Sequence, residues 1–321
     1  MEQTGILITG GGGRLGSALA RKLAAAGHPV TAVDLSFPTW LYDPALAVRC
    51  VNADVMSTRS QDELHQAIGN CRVVVHLAGL HGLHLRQGAR IADLWRSNVE
   101  GTRHITAAAA GAGVRRMVLA STTAVYGPGT DPGEPAAVLD EHRRPEPDNP
   151  YATSKLAAES VMATAADGGM EVISLRLGRF FREDERSYQI RKLSTGLDLE
   201  DAIDAMVAVC EVAHLASGVY CVASDLPLSR AARHALGTDC HAILDDHLPG
   251  FVAAAAQRDW PLPSRVGRSV DSGKLQAATP YRPRRSLART AERWRAEATK
   301  HAEATKHAAA TKHAEAATRA A

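Results

Sequence analysis

The chain has 321 residues, enough for a sizeable core and for either one large α/β domain or a nucleotide-binding domain with a smaller appendage. With 45% hydrophobic and 22% charged residues it reads as an ordinary globular protein, and 37 basic against 35 acidic residues supply no global field for nucleic acid, so the expected partner is a small molecule. No apolar run approaches the ~18 residues of a spanning helix and no basic stretch precedes the first apolar strand, which predicts no membrane anchor and no export signal. Cys50, Cys71, Cys210, Cys221 and Cys240 show no C-x-x-C spacing and mostly sit in or beside apolar runs. They are expected as buried thiols in a reducing compartment, with a cytoplasmic location as the default.

In chain order, 6–9, 30–34, 48–51, 73–77, 117–120 and 172–175 are β-rich and mostly continuously apolar. Such runs indicate strands buried on both faces, and the helical patterns between them supply crossovers. The expected fold is an α/β doubly wound parallel sheet of the Rossmann type with a small C-terminal substrate lobe. After the first strand comes Thr9-Gly10-Gly11-Gly12-Gly13-Arg14-Leu15-Gly16, leading into a helix to about Ala26. Glycines there permit a tight turn and close approach to a diphosphate, whose charge meets free N–H groups and the helix dipole. By spacing alone the register is open: Gly11, Gly13 and Gly16 fit one pattern, Gly10, Gly13 and Gly16 another. Asp34 ends the second strand 18 residues past Gly16, close to the roughly 20 at which a carboxylate meets an adenosine ribose diol. A carboxylate there repels a 2′-phosphate, so NAD is favoured over NADP.

The fifth strand ends in Ala120-Ser121-Thr122-Thr123-Ala124-Val125-Tyr126-Gly127, and the Pro-, Gly- and acid-rich stretch to Pro150 reads as a loop at the ligand-binding edge of the sheet. A helix opened by Tyr151 follows, with Lys155 four residues on and therefore on the same face. A tyrosine hydroxyl ordinarily ionises near a pKa of about 10, and moving it three units requires about 4 kcal/mol of preferential phenolate stabilisation, part of which a neighbouring ammonium can contribute. Beyond Arg179 a polar stretch runs to Thr195, a helix is expected over about 200–211 and a strand over 218–223, and the remainder is irregular and proline-bearing. The expected organisation is 1–180 as NAD-binding domain with the catalytic residues, 181–294 as a small substrate-side lobe interleaved with the sheet, and 295–321 as a tail. That tail repeats Ala-Glu-Ala-Thr-Lys-His from Ala296. Its histidines His301, His307 and His313 recur every six residues, about 600° of helix, which points them apart and predicts no metal site.

Taken as an ordered set, the Thr9 to Gly16 loop, Asp54-Val55, His76-Leu77-Ala78-Gly79, Asn98 to Thr102, Ser121 to Gly127 and Tyr151-x-x-x-Lys155 resemble the extended short-chain dehydrogenase/reductase family, the NAD-dependent epimerase/dehydratase group. The resemblance covers about residues 4–180 and selects the Gly10, Gly13, Gly16 register, with Arg14 and Leu15 between. It implies Tyr151 as acid/base, Lys155 lowering its pKa and binding the nicotinamide ribose, and Thr122 bonding the reacting oxygen. It further implies Asp54 and Val55 at the adenine, Leu77, Ala78 and Gly79 along the diphosphate and ribose, Asn98 supporting the active-site strand, and a homodimer. Thr122 is followed by Thr123 and Ala124 in place of the acid pair of the dehydratases, which disfavours elimination. Arg179 stands where sugar-nucleotide epimerases carry asparagine, and it can clamp a carboxylate or phosphate. The short stretch from Arg179 to the acidic helix start resembles compact uronate dehydrogenases. The implied activity is hydride transfer at a secondary alcohol of a sugar-like substrate. Epimerisation through a transient ketone and net oxidation or reduction remain alternatives, with a non-catalytic dinucleotide sensor as a third.

Overall fold

A computed structural model describes residues 5–57, 61–181, 183–297, 299–300 and 303. Strands β1 (Ile6–Thr9), β2 (Val30–Asp34), β3 (Val48–Asn52), β4 (Val73–His76), β5 (Arg116–Thr122), β7 (Glu171–Leu177) and β8 (Gly218–Val222) form one sheet in the order β3-β2-β1-β4-β5-β7-β8. Every pairing is parallel. The order reverses between β1 and β4, and this switch opens a crevice at the carboxyl ends of the strands. β1 and β4 are buried along their whole length, whereas the edge strand β3 is half-exposed, as its Arg49 and Asn52 require.

Helices cover both faces. On one lie α1 (Arg14–Ala25) and α8 (Leu199–Glu211), packed through Leu19, Leu23, Ile203 and Met206. The other carries α2 (Gln61–Ile68), α5 (Gly101–Gly111) and α6 (Pro150–Ala163), through Leu64, Ile105, Ala158 and Met162. Two short helices, α3 (Gly82–Arg86) and α4 (Ile91–Trp95), follow β4 and lead into a π-helical turn at Arg96–Glu100.

The second half holds more regular structure than its prolines suggest. The polar stretch after Arg179 contains α7 (Glu185–Arg191), and the irregular segment contains α9 (Arg230–Ala235), α10 (Cys240–His247), α11 (Phe251–Gln257) and α12 (Gly273–Ala278). These helices have eight residues or fewer, too short to show a periodicity. α7, α9, α10 and α11, together with a helix over 287–297, enclose a separate core, in which Trp294 stacks on Phe251 at 5.2 Å and takes the edge of Trp260; α12 instead packs Leu275 into the core beside α8. A small parallel sheet joins β6 (Ala137–Leu139), in the loop after β5, to β9 (Arg268–Val270) near the end of the chain. All five cysteines are free, and Cys210, Cys221 and Cys240 are buried. No helix among the described residues is long and apolar enough to cross a membrane. The repeat histidines His301, His307 and His313 lie outside the described residues.

Candidate active site

The glycine loop closes on itself because only glycine fits. Gly10 has φ +70°, and a Cβ there would stand 2.6 Å from Ala78 N; at Gly16 it would stand 2.1 Å from Gly10 O. Gly13 caps α1 without any side-chain hydrogen bond, and the first turn of α1 carries no acidic residue. The amino end of a three-turn helix therefore points its N–H groups and its positive field into the crevice, as a diphosphate requires. Asp34 accepts from Gly12 N at 2.9 Å and Leu35 N at 2.7 Å, which fixes its carboxylate at the rim of the loop. Asp54 accepts from Met56 N, and Val55 is buried against Gly101. Ala78 N lies 3.4 Å from the Thr9 hydroxyl. A cradle closed to any Cβ, a free helix terminus and a rim carboxylate fit NAD.

A cavity of about 360 Å³ runs along this edge, lined by Gly10, Gly13, Arg14, Leu15, Gly16, Leu77, Gly79, Asn98, Thr122, Thr123, Tyr151, Lys155 and Arg179 among others. Thr122 caps the turn after β5, its Oγ1 accepting from Ala124 N at 3.2 Å. Asn149 caps α6 by accepting from Ala152 N, so Tyr151 and Lys155 enter the cavity from the first turns of a rigid helix. Burial pushes Tyr151 up to about 12, with the Thr122 hydroxyl bond pulling the other way. In the cofactor-free molecule desolvation of the phenolate is the larger effect. Lys155 is itself pulled down to about 8 by burial, with Glu159 opposing.

Asn98 connects the loop after β4 to α6 rather than bracing a strand: it donates to Leu80 O and Ser154 Oγ, each at 2.9 Å, and accepts from Leu80 N at 2.8 Å. Arg179 is 46% exposed, donates to Glu183 at 2.9 Å and lies over the Phe181 ring. Glu183 also accepts from Arg191, which lines an adjoining cavity of about 840 Å³ together with Arg186, Arg265 and Arg268. Arg268 borders both cavities.

The sequence profile of the NAD dependent epimerase/dehydratase family matches residues 6–194, more than half of the chain. The chain belongs to this family. Among curated relatives, a UDP-N-acetyl-alpha-D-glucosaminuronate decarboxylase of Bacillus cytotoxicus is 36% identical over 39% of each chain. A uronate dehydrogenase of Pseudomonas syringae pv. tomato is 26% identical over 61% of this chain and 66% of its own. This chain thus spans from 39% to 66% of the length of those two relatives. A solved structure, MoeE5 in complex with UDP-glucuronic acid and NAD, shares the fold at a TM-score of 0.65 with 24% identity, over 91% of this chain and 99% of that one.

Two wall residues of this family member, His81 and Arg268, escape sequence reasoning. The placement of His81 comes from a paired cap: its Nδ1 accepts from Leu83 N, and His84 Nδ1 accepts from His81 N. This lays the His81 ring 4.3 Å from Tyr151 and 4.7 Å from Phe181, and burial, followed by the charges of His84, Arg179 and Lys155, pushes it down to about 4. His81-x-x-His84 at a helix start was the available signal. His76 is a neutral strut: its ring bonds Thr9 Oγ1 at 2.6 Å and Thr102 Oγ1 at 3.1 Å, and burial, then Lys155, pushes it down to about 3. Nothing in the local sequence places Arg268 at the pocket, because it arrives there through β9 from a distant part of the chain.

Proposed function

We propose that the chain catalyses NAD-dependent hydride transfer at a secondary alcohol or ketone carbon of a sugar-like substrate bearing an anionic group. The observation that carries this reading is the convergence of Thr122, Tyr151 and Lys155 with the glycine loop on one cavity. When bound, NAD supplies the hydride acceptor or donor. Tyr151 exchanges the proton of the substrate oxygen. With its hydroxyl pushed up to about 12, it holds that proton at neutral pH and is ready to protonate a developing alkoxide. In the oxidative direction the phenolate is required, and the Lys155 ammonium on the same helix face is the cation positioned to stabilise it once the cavity is filled. Thr122, already bonded to the turn behind it, directs its hydroxyl at the reacting oxygen, and Asn98 holds the loop that closes the cavity over α6.

Arg179, Arg191 and Arg268 supply the recognition element. Each has guanidinium N–H groups at or beside the cavity wall, and a carboxylate or phosphate matches their planar fork. Support for a carboxylate comes from the three proteins named above, two named for uronates and one bound to UDP-glucuronic acid, although other relatives are named UDP-glucose 4-epimerase. Retention of the hydride gives an epimerase acting through a transient ketone; release of reduced cofactor gives a dehydrogenase, which the abbreviated segment between Arg179 and α8 favours. The test is to purify the protein, identify any nucleotide it carries, and screen free sugars, sugar acids and sugar nucleotides while following NADH absorbance and product isomers. NADH accumulation with a sugar acid supports the dehydrogenase, isomer formation without net NADH supports the epimerase, and failure to bind either dinucleotide refutes both.

A further inference from the structure

Lys155 and Glu159 lie one turn apart on α6, on the face turned toward the sheet. Glu159 is held from its far side: Arg176 donates Nε to Oε1 at 3.0 Å and Nη2 to Oε2 at 2.7 Å, and the Ser121 hydroxyl donates to Oε1. Sheet register explains the convergence. Ser121 on β5 is directly paired with Arg176 on β7, so both side chains leave the same face of the sheet beneath α6. The Tyr126 ring lies 4.8 Å from the guanidinium, and exposures of 5% and 7% make Arg176 and Glu159 a desolvated pair. Such a pair adds little stability that well-packed apolar side chains of the same volume would not provide. Apolar side chains cannot, however, place an anion one helical turn from the lysine of the acid/base pair.

We propose that Glu159, clamped by Arg176 and Ser121, is a positioning residue that keeps the Lys155 ammonium charged and aimed into the cavity. This rests on the role assigned above to Lys155 beside Tyr151. The titratable groups around Lys155 are Tyr151 and Glu159 on α6, His76 on β4 and His81 at the cap of α3. At neutral pH the phenol and both imidazoles are uncharged, which leaves Glu159 as the anion of the set. A cavity behind Glu159, bordered by Ser160, Ser174 and Ser217, brings no further charge to it among the described residues. Arg176 thus orients the carboxylate, and the carboxylate works against the burial that strips Lys155 of its proton.

Titration of Lys155 by NMR in protein carrying isotope-labelled lysine, assigned with Lys155→Met, reads this directly and needs no substrate. In Glu159→Gln the Lys155 midpoint should fall by roughly one pH unit or more, since the anion is gone and the Arg176 cation is left unpaired. Arg176→Met should move it upward, the double variant should fall between the two, and Glu159→Asp should stay near wild type. NADH affinity, followed by fluorescence across the same pH range, should decline first in Glu159→Gln. A folded Glu159→Gln with an unchanged Lys155 midpoint overturns the proposal, whatever its melting temperature. If that variant does not fold, the comparison of Arg176→Met with the double variant decides: loss of Glu159 from the Arg176→Met background should lower the Lys155 midpoint, and a double variant whose midpoint equals or exceeds that of Arg176→Met overturns the proposal. Absence of NADH binding to wild type would refute the proposed function while leaving the lysine titration readable, so the two can fail separately.

Discussion

Replacing Lys155 with methionine should stabilise the cofactor-free protein while removing its turnover. The lysine is 7% exposed, and burial pulls it from its ordinary 10.5 to about 8. Between those two values the unfolded chain binds more protons than the folded one, so the Lys155 contribution to stability rises with pH through that window, and below about pH 8 the full penalty is present. At about 1.4 kcal/mol per pH unit, the interval corresponds to roughly 3 kcal/mol of destabilisation near neutrality. Methionine has similar length and no charge to desolvate, so Lys155→Met should recover up to that amount. Urea unfolding of both proteins without cofactor, at several pH values from neutral to above 10.5, measures it. The variant should lead at neutral pH, and its advantage should vanish at the alkaline end. Lys192, also pulled to about 8 by burial, is common to both proteins and cancels in the difference. A variant less stable than wild type at neutral pH, or a difference that does not change with pH, would refute the reasoning.

Tyr151→Phe should eliminate turnover and leave NAD binding intact, because it deletes the proton carrier without touching the glycine loop; full activity in a steady-state assay would remove Tyr151 from the chemistry. Gly16→Ala places a methyl 2.1 Å from Gly10 O, and NAD affinity by fluorescence titration should drop about tenfold or more, roughly 1.4 kcal/mol. Wild-type affinity in a folded Gly16→Ala would mean that the loop does not hold the diphosphate. Asp34→Ser removes the rim carboxylate and should shift the NAD to NADP preference about tenfold toward NADP; an unchanged ratio of dissociation constants would take Asp34 away from the ribose.

Much of this arrangement is readable in the residues themselves, because its causes are local. Gly10 to Gly16 follow a strand and open a helix, Asp34 ends the next strand, and Tyr151 and Lys155 share a helix face; each relation spans a short stretch of chain, and the parallel order of the strands brings these stretches to one edge. Thr122 is readable for the same reason, at a strand end beside the switch point. What sequence does not reveal depends on burial and on distant partners. The desolvation that keeps Tyr151 protonated follows from the closure of the loop by Asn98 and His81, and the pairing of Glu159 with Arg176 follows from register across β5 and β7. The lobe around Trp294 is assembled from helices too short to announce themselves.

The small β6–β9 sheet puts the assembly of the site on a schedule. Gly267 O accepts from Thr130 N and Ala137 N, and Arg268 reaches Gly127 O across a separation of 141 residues. During synthesis, the glycine loop, Thr122, Tyr151 and Lys155 all exist before Arg268 has been added, by an interval of more than a hundred residues. The parallel strands that carry the glycine loop, Thr122 and Tyr151 all precede Arg268 in the chain, and the wall that includes Arg268 closes through contacts of long sequence separation. On the proposed function, the wall that meets the substrate is complete only once Arg268 has joined it.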